Sequence, residues 1–430
     1  MSEARSHADE RMALARTWDE LVHTVRSAGY EDFLRPPPLD ALLPAAAGGP
    51  VVMVNVGRWR GDALIVRPAG VTHTRLPGLS EREAQEQTLM YLRVLEDVDK
   101  AGLEVFRARA RYDDGDVSPA AIRGYTQAKA ELQRATRRRD ATFTDVLRWL
   151  WRTVAEPVLD ELGLTAPPEP GRPWPRVWWC PTGPLTLLPL HAAGHHDEPG
   201  RAGGLSVLDR AVSSYTPTLR ALIDARRPAA KTGPDAHMLI VAVPEAPGQV
   251  PLTEVSGESE LLCAMFPSAH TLLQAGDATV PAVREAMARS RWAHFACHGG
   301  QNLADPSQGG LLLSDGVLSI ADIGAGQHDG DFAFLSACMT AVGGVLLPDE
   351  AITLAAAMHL TGYRHVIATL WSVHDRTAAT ITASVYARLT VSGAFDPADS
   401  ALALHDAVRH LRDTERLPPA AWLPFTHTGP

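Results

Sequence analysis

The chain has 430 residues, 45% of them apolar, and a formal net charge of −10. That length exceeds one ordinary domain and supplies enough apolar surface for sizeable cores. The acidic balance argues against nucleic acid as a partner. No apolar run reaches the roughly 18 residues of a membrane span, and no N-terminal stretch joins a basic region to an apolar one. A membrane partner is therefore not expected, and the chain reads as cytoplasmic. Cys180, Cys263, Cys297 and Cys338 are widely spread without a C-x-x-C. That pattern fits reduced thiols better than a disulfide framework or a zinc knuckle.

In chain order, Met12, Ala15, Trp18, Leu21 and Val25 stand at helical spacing within 8–27. Three prolines at 36–38 and AAAGG at 45–49 form a connector, so residues 1–50 read as a helical lead. Residues 51–56 and 62–66, joined by GRWRG, predict a β-hairpin, with a further short strand near 71–76. Ser80-Glu81-Arg82-Glu83 is a capping-box pattern opening a helix to about Tyr112, and Ser118-Pro119 opens the next. Phe143, Val146, Leu147, Leu150, Trp151, Val154, Val158 and Leu162 make an apolar stripe that belongs in a core. After a proline-rich stretch at 167–175, residues 176–183, 184–194 and 211–222 read as strand, packed turn, strand and helix. Beyond 237 the pattern alternates. Strands are predicted at 238–243, 269–273, 292–297, 332–337 and 365–370. Helices are predicted at 255–265, 278–289, 350–361, 374–391 and 399–413. Such alternation predicts a mostly parallel sheet covered on both faces.

The stretch 291–338 organises the rest. One apolar run ends in His298-Gly299-Gly300 and a second ends in Cys338. In open α/β sheets, chemistry collects beyond the carboxyl ends of the strands. If these strands are neighbours, a base and a thiol nucleophile share one edge. The offset, 338 − 298 = 40 residues, has room for a crossover between parallel strands. Taken singly, Cys338 also reads as a small buried hydrophobe and His298 as a loop cap. Strand alternation should turn Cys297 away from His298, and His294 should be buried within its strand. A metal site from His294, Cys297 and His298 lacks a suitably spaced fourth ligand, so no metal or cofactor is expected. Neither G-x-S-x-G nor G-x-x-x-x-G-K-[ST] occurs. Trp371, Ser372 and Val373 end the next apolar strand. Trp371 reads equally as a pocket wall or a core residue, and Ser372 with its neighbours as an edge for an extended peptide. Asp305, Asp315, Asp349, Glu350 and Asp375 lie in loops near the same ends. They either make an acidic cleft suited to a basic side chain or are solvated loop carboxylates.

Together these blocks resemble the CHAT domain family, the caspase-like peptidases of clan CD related to caspases and separases. HFACHG at 294–299 and LSACMT at 335–340 match its histidine and cysteine blocks. VIATLWSV at 366–373 and AAWLPFTHTG at 420–429 match its later signatures. Residues 176–194 and 213–222 resemble its N-terminal half. The resemblance implies a caspase-like, mostly parallel sheet flanked by helices. Residues 51–226 would be a pseudo-caspase-like half with a β-hairpin and long helices, and 237–430 the catalytic half. It implies a cysteine endopeptidase with His298 as general base and Cys338 as nucleophile. The backbone N–H groups of Gly299 and Cys338 would serve as oxyanion donors. From their place at the strand ends rather than from the resemblance, Trp371, Ser372, Val373, Asp375 and Asp305 are the candidate substrate contacts. Met339 stands where the family often has a polar residue, and Pro348 where glycine is usual. Both bear on the specificity loop. By family association the substrate is a partner protein, such as a cell-death effector, in a prokaryotic defence pathway. With no tetratricopeptide repeats in the lead, the sensor or activator is expected to be a separate protein. The alternative reading is a non-catalytic caspase-like signalling or binding module.

Overall fold

The computed structural model describes residues 2–30, 33–196, 204–227, 236–246, 249–300, 305–326, 328–337, 340–341, 353–373, 375–391 and 393–430, with the side chains of 2–11, 375 and 391 excluded. Met1–Pro44 form one unit and Ala45–Pro430 another. In the first, α1 (Ser2–Ser27) begins earlier than its apolar spacing predicts. Met12, Trp18 and Leu21 are 53%, 58% and 57% exposed, so the stripe builds no core in that unit.

In the second unit, β1 (Val51–Val56), β2 (Gly61–Arg67) and β3 (Gly70–Leu76) form an antiparallel meander. Next comes α2 (Glu81–Asp113), where Ser80 Oγ accepts the Glu83 N–H at 3.2 Å, as the capping pattern predicts. Ser118 caps α3 (Pro119–Leu150) in the same way. The core-facing stripe then runs through a π-turn, Trp151–Ala155, into α4 (Glu156–Glu161). Pro157 has no N–H to offer the Thr153 carbonyl, and the wider turn absorbs the missing bond. This stretch closes with β4 (Arg176–Pro181), α5 (Val207–Arg210), β5 (Val212–Tyr215) and α6 (Leu219–Ala225).

The remainder alternates as predicted, with element ends shifted by a few residues. It runs β6 (Met238–Ala242), α7 (Val255–Met265), β7 (His270–Gln274), α8 (Val280–Met287) and β8 (Trp292–Ala296). Next come the short β9 (His298–Gly300), β10 (Gly310–Leu312) and β11 (Val317–Ser319), then α9 (Ile320–Gly324) and β12 (Phe332–Ser336). The chain continues through α10 (Leu354–Leu360), β13 (His365–Thr369), α11 (Asp375–Leu389), β14 (Thr390–Val391) and β15 (Ala394–Phe395). It finishes with α12 (Ser400–Asp413), α13 (Pro419–Trp422) and β16 (Phe425–Thr428).

One 11-stranded sheet runs through the second unit in the order β3-β2-β1-β4-β5-β16-β13-β12-β8-β6-β7. From β13 to β7 all neighbours are parallel, while β16 pairs antiparallel with β13 and parallel with β5. Both faces of the central strands are buried, which is why their sequences are continuous apolar runs rather than alternating ones. Even-numbered residues of β8 and β12 (Trp292, Phe332, Phe334) pack with Phe266, Tyr386 and Phe395. Odd-numbered residues (Ala293, Phe295, Ala333, Leu335) pack on the other face with Met287, Leu354 and Met358. Among the described residues no helix is long and apolar enough to cross a membrane.

Candidate active site

Parallel pairing aligns β8 and β12 residue by residue, from Phe332↔Trp292 to Ser336↔Ala296. Every paired position differs by 40 in number, the same offset that separates Cys338 from His298. Cys338 itself lies outside the described residues, as do Met339, Pro348, Asp349 and Glu350. The chain on either side of 338–339 is firmly tied. The Ala337 carbonyl accepts from Thr369 Oγ1 at 2.6 Å and from Thr340 Oγ1 at 3.3 Å. Thr340 Oγ1 in turn accepts the Thr369 N–H at 2.9 Å, and the Ala341 N–H reaches the Thr369 carbonyl at 2.8 Å. The end of β13 thereby holds the chain that leaves β12.

His298 opens β9, half-buried, with Nε2 at 2.9 Å from the Val250 carbonyl. A carbonyl only accepts, so Nε2 is the donor in this contact. β9 is fixed by a three-stranded sheet in which His298 pairs with Leu312, Gly299 with Leu311 and Gly300 with Gly310. The Gly299 backbone therefore sits in a ladder beside the histidine. Cys297 is buried among the residues of the opposite sheet face, away from the side on which His294 packs.

Because β8, β12 and β13 are adjacent and parallel, His298 and 371–373 follow strands that end at one edge of the sheet. Their side chains are used differently from one another. Trp371 is 2% exposed and lies 5.0 Å from Phe143 and 5.8 Å from Tyr91, ring centre to ring centre. Its Nε1 donates to the Ala420 carbonyl at 3.1 Å. That ring is core in this structure and leaves no face for substrate. Ser372 hydrogen-bonds the Asp99 carboxyl, whose pKa is raised because burial outweighs that bond and the nearby Arg139. Val373 packs against the core. Asp305 is exposed between β9 and β10 and accepts from Ser307 Oγ at 2.6 Å. The Asp375 side chain lies outside the described residues.

A buried polar network underlies the same edge, and the sequence reading did not anticipate it. Glu258, on α7, is 5% exposed. Its Oε1 lies 3.2 Å from His294 Nε2 and accepts from Thr382 Oγ1 of α11, while Oε2 accepts from Ser336 Oγ at 3.3 Å. His294 Nδ1 is 3.2 Å from the Tyr386 hydroxyl. Burial pushes the Glu258 carboxyl up, but the His294 charge and the bonds from His294, Thr382 and Ser336 outweigh it and hold the carboxyl below its ordinary value. The available signal was a charge at Glu258 on the same stripe as Val255 and Leu262. Among the described residues no group of three His, Cys, Asp or Glu side chains is arranged to hold a metal ion.

No curated protein matches the chain. Among solved structures it is similar to Saccharomyces cerevisiae separase in its complex with securin. One such structure has a TM-score of 0.55 at 11% identity, covering 91% of this chain and 31% of that one. A second has a TM-score of 0.57 at 11% identity, covering 90% and 30%. This chain thus spans about a third of separase's length (31%), and the likeness is one of fold. A weaker likeness, with a TM-score of 0.39 at 10% identity, is to Porphyromonas gingivalis RgpB, covering 67% of this chain and 68% of that one. The CHAT domain family model matches residues 144–430, more than half of the chain. The chain belongs to the CHAT domain family, with a caspase-like α/β fold.

Proposed function

We propose that this chain is a cysteine endopeptidase that cleaves a partner protein, with His298 as general base and Cys338 as nucleophile. The observation that carries the reading is the 40-residue register of β8 and β12, with His298 and Cys338 each two positions beyond the last paired residues. His298 takes the thiol proton as sulfur attacks the scissile carbonyl, and the oxyanion draws on the N–H groups of Gly299 and Cys338. Collapse of the tetrahedral intermediate breaks the C–N bond, and the imidazolium protonates the leaving amine. Water, deprotonated by His298, then hydrolyses the thioester and frees the acid and the thiol. In this reading 1–50 is a lead, 51–226 an N-terminal half and 237–430 the catalytic half. Ser372, Val373, Asp375 and Asp305 line the substrate path. A nucleophilic thiol suits a reducing, cytoplasmic setting. Separase's association with securin supports a protein partner or substrate here, and we assign the activity to a prokaryotic defence or cell-death pathway under a separate activator.

The test is a positional-scanning peptide library digested by wild type, Cys338→Ala and His298→Ala, with proteins encoded by neighbouring genes as parallel substrates. Cleavage by wild type alone is expected, with Arg or Lys favoured before the cut if the loop carboxylates shape the pocket. Equal cleavage by Cys338→Ala would overturn the dyad. Binding of a partner without cleavage would return the chain to a non-catalytic module.

A further inference from the structure

Glu258 is unusual in being a carboxylate with almost no solvent contact that joins its own helix to three other elements. It comes from α7, faces His294 on β8, and accepts from Ser336 on β12 and Thr382 on α11. His294 is 0% exposed, and its other nitrogen meets the Tyr386 hydroxyl, also on α11. Desolvating such a pair costs several kcal/mol that Coulomb attraction seldom returns in full, so stability alone is a weak reason for it. Its location supplies a better one. Ser336, the last residue of β12, precedes Cys338 by two residues, and His294 on β8 precedes His298 by four. The carboxylate therefore ties together β8 and β12, the strands that lead to both proposed reacting residues.

We infer that Glu258 is a positioning residue of the peptidase: through His294 and Ser336 it locks the relative placement of β8 and β12 beneath the dyad. The inference rests on the peptidase reading above. An apolar side chain would fill the same volume, but it would let the strand ends slide against each other, leave Ser336 and Thr382 without their acceptor and remove the carboxylate 3.2 Å from His294. Displacement of about 1 Å between a base and a nucleophile costs on the order of 10²-fold in rate. The effect belongs to kcat, because Glu258 lies under the sheet edge and touches no substrate.

The experiment measures kcat and KM of wild type, Cys338→Ala, Glu258→Gln and Glu258→Ala on the substrate identified by the library. Active sites are titrated with an irreversible thiol-directed peptidyl ketone, and melting is followed in parallel. In Glu258→Ala, kcat per titrated site is expected to fall by about 10²-fold with KM within about twofold of wild type. Glu258→Gln keeps one acceptor oxygen, so one of the two hydroxyls must turn to accept from the amide; it loses the charge opposite His294 and should fall about tenfold. If a variant loses titratable sites and melting temperature but keeps wild-type kcat per site, Glu258 is merely structural and the inference is overturned. Should Glu258→Ala fail to fold, a wild-type kcat in Glu258→Gln overturns it equally. Absence of Cys338-dependent turnover in wild type removes the peptidase reading and this inference with it.

Discussion

Trp371 is held on three sides, by the Phe143 ring, the edge of Tyr91 and the Ala420 carbonyl that accepts its indole N–H. Phe143 and Tyr91 come from α3 and α2, so this one residue anchors both long helices to the end of β13. Truncation to alanine removes a buried ring and opens a cavity, with an expected loss of about 3–5 kcal/mol. Trp371→Phe should retain more than half of that, losing the indole hydrogen bond and part of the volume. Urea unfolding of both variants checks this. A Trp371→Ala protein as stable as wild type, with an altered peptide preference, would return the residue to the substrate pocket. Ser372, next along, faces the buried Asp99 carboxyl, so the segment 371–373 is tied to α2 as well as to the sheet.

Three residues per strand make β9, β10 and β11 a fragile support for His298, and Gly310 is its tightest point. A Cβ there would meet the Leu318 carbonyl oxygen at 2.3 Å, a backbone atom that cannot swing aside. Gly310→Ala should push β10 from β11, cost about 1–3 kcal/mol locally, and speed amide exchange across 298–300 and 310–319. Hydrogen exchange read by mass spectrometry tests that, and unchanged protection would mean that β9 does not depend on this packing. These strands also show where sequence reading stops. β6, β8, β12 and β13 are legible because burial on both faces demands unbroken apolar runs with polar or glycine ends. HGG, GLL and VLS carry no period, since their pairing is imposed by neighbours in space. Trp371 stayed undecided for a related reason: its partners Tyr91 and Phe143 lie far upstream, and nothing local marks the contact. Glu258 was legible in principle, as a charge on an apolar stripe. His298 and Cys338 stood out because both end such runs at a common 40-residue offset.

At the scale of the whole sheet, β16 is the seam. It pairs with β13 through Val366↔Thr428 to Thr369↔Phe425, and with β5 only through Thr428↔Tyr215. Side chains reinforce that thin join. His427 Nδ1 is 2.8 Å from Ser214 Oγ, which also accepts from Arg176 Nη2 at 2.8 Å, and His427 Nε2 is 3.2 Å from His365 Nδ1. A histidine pair beside an arginine tolerates no second positive charge. Burial, with the neighbouring cations behind it, lowers His365 to about 3 and takes His427 well below its ordinary value. Burial likewise lowers His191 and His359 to about 4 and His405 to about 3. Unfolded, each would titrate near 6.5. Between those limits the unfolded chain binds more protons than the native one, so stability rises with pH. This contribution is fully present above about pH 6.5 and is lost as pH falls toward 4 and then 3. The melting temperature should therefore drop by at least several degrees between pH 7.5 and pH 5. His365→Asn, which removes one of the paired imidazoles at the seam, should flatten that dependence even if it lowers the melting temperature throughout. A wild-type melting temperature that stays level over this range would mean that these histidines accept protons in the native fold, and the seam would then have to open to admit them.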